Sequence, residues 1–540
     1  MSQVIKIGQS VINAKIYTSD PAAKQVAQTA LSYFVDGAEQ DENCQKGYWD
    51  GRSTFFDWKK GTFPAGFVHL VRDRLSRAGY QCSIVRKPLP KPLGAEAPAI
   101  DAFGFKDKRY DYQPQTVDYL LRHGRFIAQV ATGGGKSRIA NLAAARIKRP
   151  TLFITTRRVL MYQMEKAFVS GMKHRFMNGE RDLAGQRVGI LGDGKWNPSD
   201  YINVAMVQSI AARIEEVPAS LKYTDPAKFR ELTVRRAETL ALLAKFELVI
   251  AEEAHEASGD EYFRVMNSLS GAHYRLALTA TPFMRASAED NMRLMAVSGP
   301  VAIRVDEKTL IDRGILAKPF FRYAKTEWRL DPAISTAEKN LDKHSRLLSG
   351  TGWQKAYKLG INFNAWRNAE IVRESACAAR FKLPVLILVQ HKNHGNLLKR
   401  RLKEAGLSVE FIFGDSDESS RRAALLRLSS GQTQVLIGST ILDVGVDVPS
   451  IGLVVLAGGG KAEVALRQRI GRGLRAKKDF PNVAFILDFD DCTNRHLRGH
   501  SLIRRAIVES TPGFAENITG SAPFDYGKIL SEHTKPKPKD

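Results

Sequence analysis

The sequence predicts an α/β protein with two tandem parallel-sheet domains and a small α/β domain in front of them. Two successive blocks of the chain show short apolar runs that alternate with helical patterns. Continuous apolar runs of this kind are typical of strands buried on both faces, and their alternation with helices indicates parallel sheets. A chain of 540 residues is also long enough for about three or four domains.

The predicted strands fall into these two blocks. The first block contains the runs 126–132, 151–156, 201–207, 248–253 and 275–281. The second block contains the runs 385–390, 408–414, 434–440, 453–458 and 483–489. Ligands of parallel sheets bind at the carboxyl ends of the strands, so the loops that follow these runs are where site residues are expected.

Changes in composition divide the chain further. The stretch KPLPKPLGAEAPA at residues 87–99 is rich in proline and small residues, which indicates an interdomain linker. The segment from 318 to 383 is polar and helical in pattern without a continuous apolar strand, and the tail after Gly499 is expected to fray. We therefore expect an accessory domain at residues 1–95, parallel-sheet domains at residues 96–318 and 319–500, and a C-terminal tail at residues 501–540.

The charge of the chain favours a polyanionic partner. Lys and Arg together number 81 against 57 Asp and Glu, which gives a formal net charge of +24. An excess of this size favours nucleic acid, because Lys and Arg neutralise phosphates and release counterions. We expect no membrane partner, since neither a basic amphipathic helix nor a lipidation signal stands out.

Apolar runs, the N-terminal sequence and the cysteine spacing predict a cytoplasmic protein. The longest apolar run, residues 383–389, is far shorter than a membrane span requires, and no signal peptide is recognised. The four cysteines lie far apart without a C-x-x-C pair. Their spacing argues against a zinc finger or a disulfide scaffold and fits a reducing compartment.

A glycine-rich stretch, ATGGGKS at residues 131–137, follows the first predicted strand and precedes a helical pattern. A strand, glycine turn and helix in this order can cradle phosphates and a Mg²⁺ ion. Val130 stands where the first glycine of the full G-x-x-x-x-G-K-[ST] pattern would be, but the flanking strand and helix favour a phosphate loop over a merely flexible turn. The candidate ligands are Thr132, Gly133, Gly134, Gly135, Lys136 and Ser137.

Paired carboxylates follow another predicted strand, in LVIAEEAHEAS at residues 248–258. Phosphoryl transfer needs one carboxylate for Mg²⁺ and one to orient or deprotonate the attacking water. Glu252 is the candidate for the metal and Glu253 for the water. A plain acidic helix start is the alternative interpretation, since Glu favours first turns. Downstream, Thr279 and Thr281 end a strand where their hydroxyls could sense the phosphates.

The order of these motifs resembles that of the superfamily 2 helicases and translocases. The P-loop motif is ATGGGKS, the Walker B motif is AEEAH, and the third motif is TATP. Upstream, RYDYQPQ is similar to the Q motif. In the second block, STILDVGVDVP at residues 439–449 is similar to motif V, and QRIGRGLR at residues 468–475 is similar to motif VI.

The resemblance implies two RecA-like domains with ATP between them, and domain closure coupled to hydrolysis. It places Gln113 against the adenine edge, with Arg109 or Tyr110 beside the ring. It makes Arg472 and Arg475 arginine fingers that stabilise charge on the transferring phosphoryl group. The resemblance also implies residues that link hydrolysis to nucleic acid, which are Gln468, His255, Thr279 and Thr281. It places Gly445 and Asp447 near the ribose or phosphates.

One residue departs from the family pattern. The family usually has Asp-Glu at the Walker B position, whereas this chain has Glu252-Glu253. Glutamate is one methylene longer, and Mg²⁺ tolerates little distortion of its octahedral geometry. A bridging water could accommodate the longer side chain, so we still expect an active ATPase.

The N-terminal segment, residues 47–85, is similar to the accessory domain of the UvsW-type helicases of bacteriophages, through a W-D-G motif, a strand pair, a glycine turn and a helix that ends in Gly-Tyr. This resemblance implies a basic module that contacts duplex DNA. The aromatic residues of the segment are more typical of a small core than of a base-stacking surface. The candidate DNA contacts are therefore Arg52, Lys59 and Lys60, together with Arg157 after the second strand.

The sequence thus predicts a monomeric, ATP- and Mg²⁺-dependent DNA helicase or translocase that remodels branched DNA. Branch migration or unwinding of R-loops and D-loops in phage recombination and replication is the role that the resemblance implies. An RNA helicase is the enzymatic alternative, because both classes share the same motor. A DNA-binding module whose ATPase is impaired by Glu252 is the alternative from another class.

Overall fold

Two units make up the chain, Met1–Ala131 with Gly135–Val305, and Thr132–Gly134 with Asp306–Asp540. The first contains a small four-stranded sheet and an eight-stranded sheet, and the second contains a six-stranded sheet. The computed structural model describes residues 4–534 except for 254–258, 284–286, 330–351, 415–416, 440–450, 461–465, 468–469, 472 and 478–480.

Residues 4–86, called the accessory module below, form the small sheet with helices packed on one face. The elements are β1 Val4–Gln9, β2 Asn13–Tyr17, α1 Pro21–Ala30, β3 Ser32–Phe34, α2 Glu42–Gln45, β4 Arg52–Thr54, β5 Thr62–Pro64, α3 Val68–Arg77 and β6 Gln81–Arg86. The strand order is β5-β2-β1-β6, with β1 antiparallel to β2 and parallel to β6. Residues of β1 and β2 alternate between buried and exposed because one face of the sheet covers the core.

The first large sheet is almost entirely parallel. Its elements are α4 Tyr112–His123, β7 Arg125–Val130, α5 Lys136–Ile147, β8 Thr151–Thr155, α6 Arg158–Met177, β9 Val188–Gly192, β10 Lys195–Asn197, β11 Ile202–Met206, α7 Val207–Ile214, α8 Leu221–Thr224, α9 Pro226–Lys245, β12 Leu248–Glu252, α10 Asp260–Ser268, β13 Tyr274–Thr279, α11 Ala288–Ser298 and β14 Val301–Val305. The strand order is β10-β9-β11-β8-β12-β13-β7-β14, and only the edge strand β10 is antiparallel to its neighbour. All five strands predicted for the first block are present.

The accessory module packs directly on α11 of this domain. Ala296 belongs to the same buried apolar cluster as Phe56, Phe63 and Phe67 of the module. A Cβ atom at Gly66 would collide with the backbone carbonyl of Met295, so the module approaches the helix as closely as its backbone allows.

The proline-rich segment that joins the module to the domain is fixed along its length. Leu93 donates its N–H to the carbonyl of Ile147 at 3.1 Å, and Gly94 donates to Arg146 at 3.1 Å. Farther upstream, the Tyr274 hydroxyl donates to the Pro90 carbonyl at 2.6 Å. The composition predicted a linker, and the segment does connect the two parts, but it lies hydrogen-bonded against the domain.

The second large sheet is parallel throughout. Its elements are α12 Glu307–Asp312, β15 Lys318–Lys325, α13 Trp353–Tyr357, α14 Ala365–Arg380, β16 Val385–Leu388, α15 Lys392–Glu404, β17 Val409–Ile412, α16 Glu418–Ser429, β18 Val435–Gly438, β19 Leu453–Val455, β20 Val483–Asp490, α17 Arg495–Glu509 and α18 Tyr526–Glu532. The strand order is β15-β20-β19-β16-β18-β17, and every pairing is parallel. The five strands predicted for the second block are all present, which confirms the predicted fold class.

Two expectations about the second unit were wrong. The segment after residue 318 was expected to lack a strand, but β15 lies there. Its apolar sequence pattern is interrupted by Arg322, which is buried because it pairs with Glu374 at 2.8 Å. The tail was expected to fray, but α17 and α18 pack on the domain through residue 534, and the buried Tyr526 donates its hydroxyl to Glu374 at 2.8 Å. Aromatic burial anchors the tail.

No helix in the described ranges combines the length and the apolar character that a membrane crossing demands. All four cysteines are free thiols.

Candidate functional site

The glycine-rich turn between β7 and α5 is shaped by two left-handed residues. Gly133 has φ 89° and Gly135 has φ 80°, a region that only glycine adopts without strain. Gly135 caps α5, so the helix begins at Lys136 immediately after the turn. The first N–H groups of a helix have no acceptor within the helix and carry its positive dipole end, so this turn can bind an anion.

Lys136 is buried at the start of α5, with 8% of its surface exposed. Its Nζ donates to the carbonyl of Val130 at 3.4 Å, at the end of β7. Ser137, the next residue, is exposed. A buried ammonium held over the turn and an exposed hydroxyl beside it are the groups that a polyphosphate and its metal ion require.

Glu252 ends β12, at the same carboxyl edge of the sheet. It is 8% exposed, and its Oε2 atom has no hydrogen-bond partner among the described residues. Burial raises the pKa of Glu252 to about 7, although the Lys136 ammonium acts in the opposite direction. Glu253 follows with φ 51°, an unusual backbone conformation for a residue other than glycine. A buried carboxylate oxygen without a partner fits a site for a hard cation such as Mg²⁺.

The threonines at the end of β13 lie one strand away. Thr279 is fully buried, and its hydroxyl accepts the N–H of Thr281 at 3.1 Å. Thr281 is 6% exposed, and its own Oγ1 has no partner among the described residues. Since β13 lies between β12 and β7, the sheet order brings Thr279, Glu252 and the glycine-rich turn to one edge.

Gln113 in α4 lies against the glycine-rich turn. A Cβ atom at Gly135 would lie 2.5 Å from the Gln113 side-chain nitrogen. Gln113 is 1% exposed, and its side-chain oxygen accepts from Arg138 of α5 at 2.5 Å. Arg138 is held in turn by Asp101 at 2.6 Å. Sequence reasoning missed Arg138 and Asp101; only their proximity to two motifs could have suggested them.

Arg109 is placed on the surface beside this group. It forms an ion pair with Asp107 at 2.6 Å, and its guanidinium lies 5.8 Å from the Tyr110 ring. Both side chains of the ion pair are exposed, so it contributes little to stability.

Motif VI is only partly described. Arg475 is half-buried and pairs through its backbone with Leu316 in an isolated antiparallel bridge. Burial lowers the pKa of Arg475. Nearby, burial lowers the pKa of Lys477 to about 7, and its Nζ donates to Gly473 at 2.6 Å. The predicted site residues that lie outside the described residues are His255, Gly445, Asp447, Gln468 and Arg472.

Three of the four predicted DNA contacts are on the surface of the accessory module, and the fourth, Arg157, is in the α/β domain. Arg52, Lys59 and Lys60 are exposed, and Lys60 forms a 3.7 Å ion pair with Asp57. Phe56 is buried in the module core, as expected from the core interpretation, whereas Trp58 is exposed, so that interpretation was wrong for this ring. Arg157, which precedes α6, is half-buried, and its N–H donates to the Thr155 hydroxyl at 3.3 Å.

The structure therefore brings a glycine-rich turn, a buried lysine and a carboxylate to one edge of a parallel sheet, the arrangement found in P-loop nucleotide hydrolases. Two family models match the chain. "Type III restriction enzyme, res subunit" matches residues 106–284, and "Helicase conserved C-terminal domain" matches residues 369–477. Together they cover just over half of the chain. The chain belongs to the superfamily 2 helicases, and it is an ATP-dependent helicase or translocase.

Among these helicases, the chain is similar to two full-length relatives. It is 25% identical over 415 residues to the DNA 3′-5′ translocase XPB2 of Sulfurisphaera tokodaii, which covers 72% of this chain and 84% of the relative. It is 21% identical over 482 residues to the ATP-dependent DNA helicase uvsW of Enterobacteria phage T4, which covers 85% of each protein. The crystal structure of T4 UvsW aligns over 96% of this chain and 99% of its own, with a TM-score of 0.42 and 17% identity.

Proposed function

We propose that this protein is an ATP- and Mg²⁺-dependent DNA motor that remodels branched DNA, by branch migration or by unwinding R-loops and D-loops, in phage recombination and replication. The observation that carries the proposal is that the accessory module, which exposes Arg52, Lys59 and Lys60, packs directly on α11 of the α/β domain. A module fixed in this way moves with the motor domain and can hold a duplex arm.

Three features support nucleic acid as the substrate, and the first of them favours DNA. The names of both full-length relatives describe DNA-acting motors, and one family model is that of a restriction enzyme subunit. The net charge of +24 favours a polyanion of either kind. The exposed Arg52, Lys59 and Lys60 provide duplex phosphate contacts in this proposal.

The nucleotide roles follow from the glycine-rich turn and from the carboxyl edge of the first large sheet. We propose that the backbone of Thr132, Gly133, Gly134 and Gly135 binds the phosphates and that Lys136 neutralises their β/γ charge. Ser137 and Glu252 would hold Mg²⁺, which supplies Lewis-acid stabilisation of the phosphoryl oxygens when bound. The donor set fits this ion, since both groups offer hard oxygen ligands and Oε2 of Glu252 has no partner among the described residues.

The remaining roles concern catalysis and coupling. Glu253 orients or deprotonates the attacking water, and Gln113 recognises adenine with Arg109 at its side. Arg475 stabilises the transferring phosphoryl charge. Arg472 is a second arginine finger, and Gly445 and Asp447 contact the ribose or phosphates. The residues that couple hydrolysis to nucleic acid are Gln468, His255, Thr279 and Thr281. Arg157 contacts the nucleic-acid backbone.

The test is ATP turnover measured with single-stranded, duplex, forked and four-way DNA and with duplex RNA at one salt concentration. We expect forked and four-way DNA to stimulate turnover most and to be remodelled in a fluorescence strand-separation assay. Charge reversal of Arg52, Lys59 and Lys60 to Glu should remove the preference for junctions while turnover without DNA stays unchanged. Lys46→Glu, an exposed change elsewhere in the module, is the matched control.

Each alternative gives a different result in this assay. Stimulation by duplex RNA alone would identify an RNA helicase. DNA binding without turnover would identify a binding module whose ATPase is impaired by Glu252. Equal activity on all DNA forms would leave the motor intact and refute the role in branched DNA.

A further inference from the structure

A cavity at the opposite edge of the first sheet is lined by basic side chains. It has a volume of about 470 Å³ and lies where the accessory module meets the amino ends of β7 and β13. Arg86 and Lys87 come from the module side, and His123, Arg125 and His273 come from the α/β domain. Among the described residues, no Asp or Glu lines it.

Arg125 is the most deeply placed of these side chains. It is 9% exposed, and its Nη2 donates to the carbonyl of Val11 at 2.5 Å. In the described part of the chain, no carboxylate pairs with it and its other N–H groups have no recorded acceptor. A buried guanidinium without a counter-ion is costly, since an acceptor carbonyl does not cancel its charge.

Two further cations lie at the mouth of the cavity. Arg86 donates to the last carbonyls of α4, those of Arg122 and His123, at 3.0 and 2.8 Å. Lys87 is exposed, and the described residues offer it neither an ion pair nor a hydrogen bond. Both ammonium and guanidinium groups therefore keep donors available for an anion.

A second buried arginine lies behind the cavity. Arg275 is 1% exposed and donates to backbone carbonyls, including Leu269 at 2.8 Å and Met266 at 3.0 Å. Burial lowers its pKa well below the ordinary value, with Arg125 adding to the effect. The nearby Glu247 is engaged by Arg149 at 3.2 Å. Glu247 attracts His273 of the cavity as well, but among the described residues no carboxylate pairs with Arg86, Lys87 or Arg125.

We propose that this cavity is a phosphate-binding site, separate from the nucleotide site, in which one anion bridges the accessory module and the α/β domain. Its position supports the bridging role, since residues on both sides contribute cations to one space. The volume accommodates a phosphate with an attached sugar, so a nucleic-acid backbone and a free phosphate compound share the required chemistry. The proposal does not depend on the proposed function.

The test measures binding of inorganic phosphate to the full chain by calorimetry, in the presence of saturating ADP. Lys87→Gln and Arg125→Met should each weaken phosphate binding by about tenfold or more, because each removes a charge-assisted contact. Lys91→Gln is the matched control, since Lys91 is an exposed lysine of the same segment that does not line the cavity. Thermal melting of every variant shows whether the fold is intact; the surface change at Lys87 keeps the test valid if Arg125→Met unfolds.

The source of the phosphate is resolved with a short single-stranded oligothymidylate. If Lys87→Gln weakens both phosphate and oligothymidylate binding, the site takes a nucleic-acid backbone. If it weakens phosphate binding alone, the site takes a free phosphate compound. Unchanged phosphate affinity in Lys87→Gln, or loss of all phosphate binding when ADP is saturating, overturns the proposal.

Discussion

Each edge of the first sheet holds a buried ionisable side chain whose pairing is incomplete among the described residues. At the carboxyl edge, Glu252 has an oxygen without a partner among the described residues. At the amino edge, Arg125 donates to a carbonyl and has no carboxylate partner in the part of the chain that the structure describes. Interior strand residues complete their hydrogen bonds with neighbouring strands, so the strand ends are where a sheet can keep charges available for ligands.

The second unit shows what a buried charge looks like when it only stabilises the fold. Arg504 is 3% exposed and pairs with Asp488 at 2.9 Å and with Asp491 at 3.4 Å. Arg367, which is fully buried, pairs with Asp491 at 3.1 Å. Burial alone therefore does not mark a binding site in this protein; a missing counter-ion is the informative difference.

The largest effect is expected at the carboxyl edge. Lys136→Ala should reduce ATP turnover by about 10³-fold or more, because the phosphates lose the ammonium that neutralises their charge. DNA binding should persist, as the proposed DNA contacts lie elsewhere. A coupled ATPase assay and a fluorescence anisotropy titration measure the two properties.

Lys91→Ala provides the control for that change, since it removes an exposed lysine at the amino side of the same domain. Its turnover should equal that of the wild type. Hydrolysis near the wild-type rate in Lys136→Ala would contradict the phosphate-loop assignment.

The next largest effects are expected at the two Walker B carboxylates, whose substitutions should impair different steps. Glu253→Gln should retain ATP binding but lower hydrolysis by about 10²- to 10⁴-fold, the range of general-base catalysis. Glu252→Gln should instead weaken Mg²⁺-dependent nucleotide binding, because its side chain is the proposed metal ligand. Single-turnover hydrolysis beside equilibrium nucleotide binding distinguishes them, and equal losses in both variants would leave the base unassigned.

A paired arginine should be costly to remove. Arg504→Met should lower the unfolding free energy of the second unit by about 3–5 kcal/mol, because it leaves Asp488 buried without its partner. Urea unfolding followed by fluorescence measures the loss. The exposed Arg505→Met is the neighbouring control, since its pair with Glu509 is half-exposed and contributes little. A loss below about 1 kcal/mol in Arg504→Met would mean that the pair is not structural.

The sequence predicted the sheets because buried parallel strands are continuous apolar runs, as in VLIL of β16. It did not reveal β15, since pairing with Glu374 neutralises the buried Arg322 only in three dimensions. At the candidate site, local motifs identified Lys136, Glu252 and Gln113. Arg138 and the cavity around Arg125 could not be found in this way, because residues far apart in the chain create them.

The smallest change in stability is expected for a substitution at the amino edge. This substitution tests most directly whether a missing counter-ion distinguishes Arg125 from the paired Arg504. Arg125→Met removes a buried charge that no described carboxylate pairs with, so the change leaves no described opposite charge buried and uncompensated. The lost hydrogen bond to Val11 and the removed burial cost act in opposite directions, and we expect a stability change below about 1 kcal/mol in phosphate-free chloride buffer. Adding phosphate should stabilise the wild type more than the variant, since the variant binds the anion more weakly. Urea unfolding with and without phosphate at equal ionic strength gives both numbers. A loss of unfolding free energy as large as that of Arg504→Met would show that Arg125 stabilises the fold. The two buried arginines would then have the same structural role.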